Sequence, residues 1–191
     1  MPSITDRSTK APLLTIGILN HGTLHVRDIA KSRRFFEEVL GIECIQTSPV
    51  SLMIRKGTAH VYAVVEQPAG LHPPMTMINH NGFEVATVAE LEEANKLLHQ
   101  IKDEYEIKKI LPFSKLHGDT SFYFQDQDDN WWEIVAARDG GYVASFDDKA
   151  NWDMTGHHEV ESFVDHFINE KKLRHIHDPE TRDLIKAAQK A

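Results

Sequence analysis

The chain has 191 residues, 41% apolar and 26% charged, with a net charge of −8. These are ordinary values for a folded protein, long enough for one domain with a sizeable core or two very small ones. The negative balance argues against nucleic acid or an anionic membrane as partner, and no apolar run approaches the ~20 residues needed to span a bilayer.

Residues 1–14 read as a loose polar arm with no apolar core ahead of a cleavage site, so a cytoplasmic protein is expected. Thr15–Val26 is β-like. Asp28 then offers the short acceptor side chain of a helix N-cap, and Ile29, Phe36, Val39 and Leu40 recur at helical spacing before Gly41. Three β-rich runs follow, Glu43–Ser48, Ser51–Lys56 and His60–Glu66, and then a linker, Gln67–Thr76, with three prolines. Cys44, the only cysteine, falls in the first of these runs; no internal disulfide can form, and an inert buried thiol is expected.

The order then repeats. Met77–Ala86 reads as a strand, and Thr87 with Glu90 forms a T-x-x-E capping box. Leu91, Ala94, Leu97, Leu98 and Ile101 give a second helix its apolar stripe. Glu106–Phe113, Thr120–Gln127 and Trp131–Ala137 read as three further strands, the last two joined by a three-residue loop, Asp128–Asn130. His21 precedes the cap Asp28 by seven residues, and His80 precedes the cap Thr87 by seven. The expected fold is therefore α+β: two repeated βαβββ modules (15–67 and 76–138) packed as one domain, 15–138. Residues 139–191 form a separate extension, with Val160, Phe163, Phe167 and Ile168 near helical spacing and a short final helix.

Twelve histidines is the unusual count. Two imidazoles and one carboxylate make a facial triad suited to Fe(II) or Mn(II), with positions left open. Glu133, set among Trp131, Trp132 and Ile134, is a carboxylate in apolar surroundings, which a metal would compensate. His25 shares a strand face with His21. His157, His158, His166, His175 and His177 in the extension form no recognisable metal pattern.

"LNHGTLHVRDIAKSRRFFEEVLGIE" and "SFYFQDQDDNWWEIV" resemble the first strand and helix and the last hairpin of the vicinal oxygen chelate superfamily, which includes glyoxalase I, bleomycin-resistance proteins and extradiol dioxygenases. The hairpin is usually written D-P-D-G-N before the glutamate; Gln127 stands here for the proline and Asp129 for the glycine. The resemblance implies a curved mixed sheet around a metal pocket, with metal ligands falling on His21, His80 and Glu133. It implies a divalent cofactor, with Fe(II) expected and Mn(II), Zn(II) or Ni(II) as alternatives, and a homodimer or higher homo-oligomer. The fourth carboxylate ligand of glyoxalase I would fall near Tyr62 or Glu66, both taken with His25 as candidate substrate contacts.

The extradiol pattern is approximated by His117, Phe122-Tyr123, Asp126 and Glu133. Tyr123 and His117 are thereby the candidate catalytic residues, Tyr123 opposing Val135 if Gln127 pairs with Trp131. The first expectation is a ring-cleaving dioxygenase acting on a catecholic small molecule with O₂. The alternatives are an isomerase, epimerase or lyase working through an enolate, or a metal-free binding protein.

Overall fold

The computed structural model describes residues 6–57, 59–68, 71, 75–116, 119–137, 141–149, 153, 155 and 156. His117 and the extension beyond residue 156, with all five of its histidines and its apolar stripe, lie outside them. Among the described residues, no helix is long and apolar enough to cross a membrane.

The first module runs β1 (His21–Val26), α1 (Ile29–Arg34), β2 (Glu43–Ser48), β3 (Ser51–Arg55) and β4 (Val61–Glu66). The second runs β5 (Asn81–Val85), α2 (Val88–Ile101), β6 (Lys109–Ile110), β7 (Ser114–Leu116), β8 (Asp119–Gln125) and β9 (Trp131–Ala136). A short α3 (Ala144–Asp147) follows. The sheets have equivalent orders, β1-β4-β3-β2 and β5-β9-β8-β6, with β7 also on β8. In each, the strand before the helix lies parallel to the module's last strand. The repeat read in the sequence is thus a repeat of topology.

Local chemistry explains the elements. Asp28 caps α1 by accepting from Ala30 and Lys31 N–H, both at 3.0 Å. The helix then widens into a π turn, Phe35–Val39, which sends the adjacent Phe35 and Phe36 both into the core. Thr87 Oγ1 accepts from Glu90 N–H (3.1 Å), while Glu90 reaches back one residue further than expected, to Ala86 N–H (2.8 Å). Residues 15–20 belong to no strand, and Met77–Asn79 is a 3₁₀ turn. His80 therefore ends a turn rather than lying on a strand. Cys44 is half-buried, and burial pushes its thiol up to about 11, well into the unreactive range.

The two modules share one core. Leu24 and Val26 of β1 and Val64 of β4 face inward, and the module-one helix carries its aromatics into the module-two sheet. Phe35 meets Phe124 with ring centroids 6.4 Å apart, and Phe36 meets Trp132 edge-on at 6.2 Å. The turn between β8 and β9 adds a polar lock. Asp128 accepts from Arg27 N–H (2.8 Å) and from the buried Ser32 hydroxyl (2.6 Å). Asn130 Nδ2 donates to the His25 carbonyl (3.2 Å).

This turn is longer than the sequence suggested. Gln125, not Gln127, pairs with Trp131, so five residues span the hairpin. Buried Asp126 organises it, accepting from the N–H groups of Asp128 (2.8 Å) and Asn130 (2.9 Å) and from Trp132 Nε1 (2.8 Å). Those side-chain bonds replace the ladder bonds that a tighter turn would have made.

Asp128→Ala removes the acceptor of the part-buried Arg27 N–H and a partner of the buried Ser32 hydroxyl, so urea unfolding should show a loss of about 1–3 kcal/mol. Burial, with the Asp128 carboxylate beside it, pushes Asp126 up to about 7 against the pull of its donors. A raised folded-state value stabilises most below the unfolded value of about 3.9 and is lost as pH rises through about 7. Carboxyl ¹³C NMR of the folded protein should show Asp126 titrating near neutrality; titration near the unfolded value would mean that the hydrogen bonds prevail.

Candidate active site

Trp131, Glu133 and Val135 point to the face of β9 opposite the shared core, and β8 places Tyr123 directly across from Glu133 and Ser121 across from Val135. This corrects the expected Tyr123–Val135 pairing by one step along the same face, and it brings the tyrosine closer to the carboxylate. Tyr123 and Trp131 pack there with Met77, which arrives on the 3₁₀ turn. That turn also delivers His80.

The His80 ring lies edge-on to Tyr123, 4.9 Å between centroids, and its Nε2 stands 3.4 Å from Glu133 Oε2. Its other nitrogen, Nδ1, contacts the Met77 carbonyl at 2.7 Å. A carbonyl can only accept, so Nδ1 carries a proton. In the neutral ring Nε2 is then a bare lone pair aimed at a carboxylate that is only 3% exposed. Two acceptors face each other across this gap. A proton or a cation must fill it.

Electrostatics follow from that placement. Burial pushes Glu133 up, but hydrogen bonding with His80, Ser121 and Tyr123 outweighs it and holds the carboxyl below its ordinary range. Hydrogen bonding to Glu133 raises His80 above its usual value against the opposing effect of burial. Burial, and then the Glu133 charge, drive the Tyr123 hydroxyl far above the ordinary phenol value, so it is a neutral donor at any working pH.

The remaining candidates lie elsewhere. His21 begins β1 on the first sheet, exposed, with Nδ1 2.5 Å from Asn20 Oδ1. It does not join His80 and Glu133 within one chain, and among the described residues no group of three His, Cys, Asp or Glu is arranged to hold a metal. His25 shares the His21 face, half-buried. Tyr62 and Glu66 do not: β1–β4 register sets them beside Gly22 and Val26, on the opposite face. The Tyr62 hydroxyl donates to Asn81 Oδ1, and Glu66 Oε2 accepts from Ile29 N–H (2.8 Å), closing the start of α1. Both serve the fold in this structure. The His21 face of β4 carries Val61, Ala63 and Val65, with no carboxylate.

Several neighbours of the pair were missed in the sequence. Ser121 was hidden in an aromatic strand, although its period-two spacing from Tyr123 was a usable signal. Met77 holds the His80 tautomer through its backbone, which no side-chain motif records. Gly141, at φ +61°, lies so close that a Cβ there would sit 2.6 Å from Glu84 Oε2; Glu84 shares the Glu133 face of the sheet. Tyr142 follows immediately and interacts electrostatically with Tyr123.

Residues 18–134 match the family described as Glyoxalase/Bleomycin resistance protein/Dioxygenase superfamily, and the chain belongs to that superfamily. No curated protein sequence matches it. Among solved structures, it is similar to a mutant of the fosfomycin resistance protein FosX from Listeria monocytogenes, complexed with Mn(II) and 1S,2S-dihydroxypropylphosphonic acid. That likeness has 20% identity and a TM-score of 0.54, covering 69% of this chain and 99% of that one. A possible glyoxalase from Bacillus cereus aligns at 20% identity and TM-score 0.51, over 64% of this chain and 100% of that one. FosX from Mesorhizobium loti aligns at 18% and 0.50, over 70% and 99%. These likenesses show the mixed α+β fold with two curved sheets.

A divalent ion would supply the same positive charge between His80 and Glu133 that a proton on Nε2 supplies. Protons compete for the same lone pair, and His80 is raised above its ordinary value of about 6.5. Mn(II) should therefore raise the Tm more at pH 8 than at pH 6, by calorimetry at fixed metal concentration. Equal shifts at both values would separate His80 from metal binding.

Proposed function

We propose that this protein is a divalent-metal enzyme whose site is completed between two copies. His80 and Glu133 of one chain and His21 of the other would hold the ion. The observation that carries this reading is the His80 Nε2 lone pair facing a buried carboxylate across 3.4 Å. His21, with its ring at the exposed start of β1, is available to a second copy and not to its own pair.

Within that class the reading best supported is a ring-cleaving extradiol dioxygenase using Fe(II). Two features support it. The set has two imidazoles and one carboxylate, with no carboxylate on the His21 face of β4 to serve as a fourth ligand, which would leave positions free for substrate and O₂. Tyr123, the tyrosine of the approximate dioxygenase pattern, stands opposite Glu133 and against His80. Bound iron supplies Lewis acidity and a redox path between a catecholic substrate and O₂.

The chain's own residues would do the rest. Tyr123, held neutral, would turn its single O–H from Glu133 to a substrate oxygen, while Ser121 and His80 keep Glu133 ionised and fixed. Met77 and Trp131 exclude water around the pair. His117, a catalytic candidate from the sequence that lies outside the described residues, is proposed for proton transfer. A second reading is an isomerase, epimerase or lyase acting through an enolate; the Mn(II) of the FosX structure supports metal chemistry that consumes no O₂, though its dihydroxypropylphosphonic acid has no carbonyl to enolise.

Two measurements test this. A mixture of His21→Ala and Glu133→Ala chains should bind Mn(II) by calorimetry where neither variant does alone, since each mixed pair holds one intact site; no recovery sinks the shared site. Fe(II)-loaded protein should consume O₂ with a catechol panel, and Tyr123→Phe should lower kcat/KM by roughly tenfold to a thousandfold with metal content unchanged. Turnover of an enolisable substrate without O₂ would favour the second reading.

A further inference from the structure

A second cavity lies behind the sheet that carries Glu133. On β5 and β9, Phe83, Trp132 and Ile134 alternate with the residues of the candidate active site and so face the other way. Between them and the first module is a cleft of about 600 Å³, within the size range of small-molecule pockets. Leu40, Ile42 and Ile54 form its opposite wall. Half-buried Phe83 stacks on fully buried Trp132, with centroids 5.3 Å apart and planes at 21°, which leaves aromatic surface on the cleft.

The rim of the cleft carries a cation set in place by the backbone. Gly41 lies between Leu40 and Ile42 of the wall, in the left-handed conformation at φ +58°. Its carbonyl accepts from Lys56 Nζ at 2.6 Å, and a Cβ on Gly41 would stand 3.2 Å from that nitrogen. The lysine is thereby held over the cleft, with two of its three N–H groups left for a ligand. Neighbouring Arg55 differs, because Glu43 takes its guanidinium at 2.7 and 3.2 Å. Among the described residues no carboxylate pairs with Lys56, and the one carboxylate on the lining, Glu84, belongs to the Glu133 face of the sheet. A held ammonium beside apolar walls selects an anion with an apolar body, since only such a ligand uses both.

We propose that this cleft is a second small-molecule site, on the reverse of the sheet that carries the candidate active site, and that it takes an apolar monocarboxylate. The body of the ligand packs between Phe83 and Leu40, and its carboxylate accepts from the Lys56 ammonium. Neither a metal nor a second copy of the chain enters the argument, so this site stands or falls apart from the reaction proposed above.

The test uses the full chain, with 2-naphthoate as the probe. Calorimetry should show one saturable site per chain, and the Leu40 and Ile54 methyl resonances should shift while the Met77 methyl does not. Lys56→Met keeps the aliphatic stem and removes the charge at an exposed position, so naphthoate should bind it about tenfold or more weakly. The neutral analogue 2-naphthalenemethanol should bind wild type and Lys56→Met equally, and wild type less tightly than naphthoate does. Leu40→Trp should fill the cleft and lose both ligands, with the wild-type circular dichroism retained. Equal affinity of naphthoate for wild type and Lys56→Met overturns the proposal, as does the absence of binding. A shift at Met77 without one at Leu40 and Ile54 overturns it too, because the ligand then lies on the Glu133 face.

Discussion

The turn from Asp126 to Asn130 is the constraint on which the rest of the structure depends. Two small modules, each with one curved sheet and one helix, cannot bury their apolar faces alone. They share a core by sending Phe35 and Phe36 of the first into the sheet of the second, but apolar contact does not fix orientation. The turn does. Asp128 takes the Arg27 N–H and the Ser32 hydroxyl, Asn130 takes the His25 carbonyl, and the Asp129 carboxylate meets Arg27 and Lys108. Gln127, its amide turned to suit both neighbours, donates to the Tyr105 carbonyl and accepts from Ser32 N–H. Buried polar contacts have narrow geometry, so they specify one docking among the many that oil alone would allow.

The same turn fixes the chemistry, because β8 and β9 leave it in a single register. Asp126 absorbs the donors of the turn, Gln125 meets Trp131, and Tyr123 must then face Glu133. A slip of one residue would send Glu133 into the shared core and Trp132 toward His80. The polar network that costs free energy to bury is therefore also what keeps the carboxylate on the correct face.

The topology was legible because its signals are local. Asp28 and Thr87 announced helix starts, Gly41 announced a stop, and the apolar spacing between them was helical. Glu133 was legible as a carboxylate among tryptophans. What failed was what depends on partners distant in sequence. Alternation put Tyr62 and Glu66 together correctly, but only β1–β4 register shows that their face is not His21's. The 3₁₀ turn at Met77–Asn79 looked like strand because apolar Met77 and the strand former Ile78 lead toward Phe83 and Val85, and tertiary context overrode that pattern. The strand predicted over residues 15–20 is a different kind of miss: the propensity is there and the single chain offers no ladder.

Asp129 shows how the departures from the family pattern fit together. It sits at φ +69°, the left-handed conformation for which the superfamily's usual glycine is suited. Aspartate tolerates that region better than most residues, at a modest cost. The return is a carboxylate that bridges Arg27 at the end of β1 and Lys108 before β6, held ionised by both cations despite partial burial. A glycine here would relax the backbone and leave two cations on the seam between modules with no counter-charge. The substitution of Gln127 for proline follows the same logic, since its amide reaches the Tyr105 carbonyl and Ser32 N–H, contacts that a proline ring could not make. Both replacements trade turn stiffness for contacts across the module boundary. That exchange holds the β8–β9 hairpin against the end of β1, where Asp128 and Asn130 already bond its backbone.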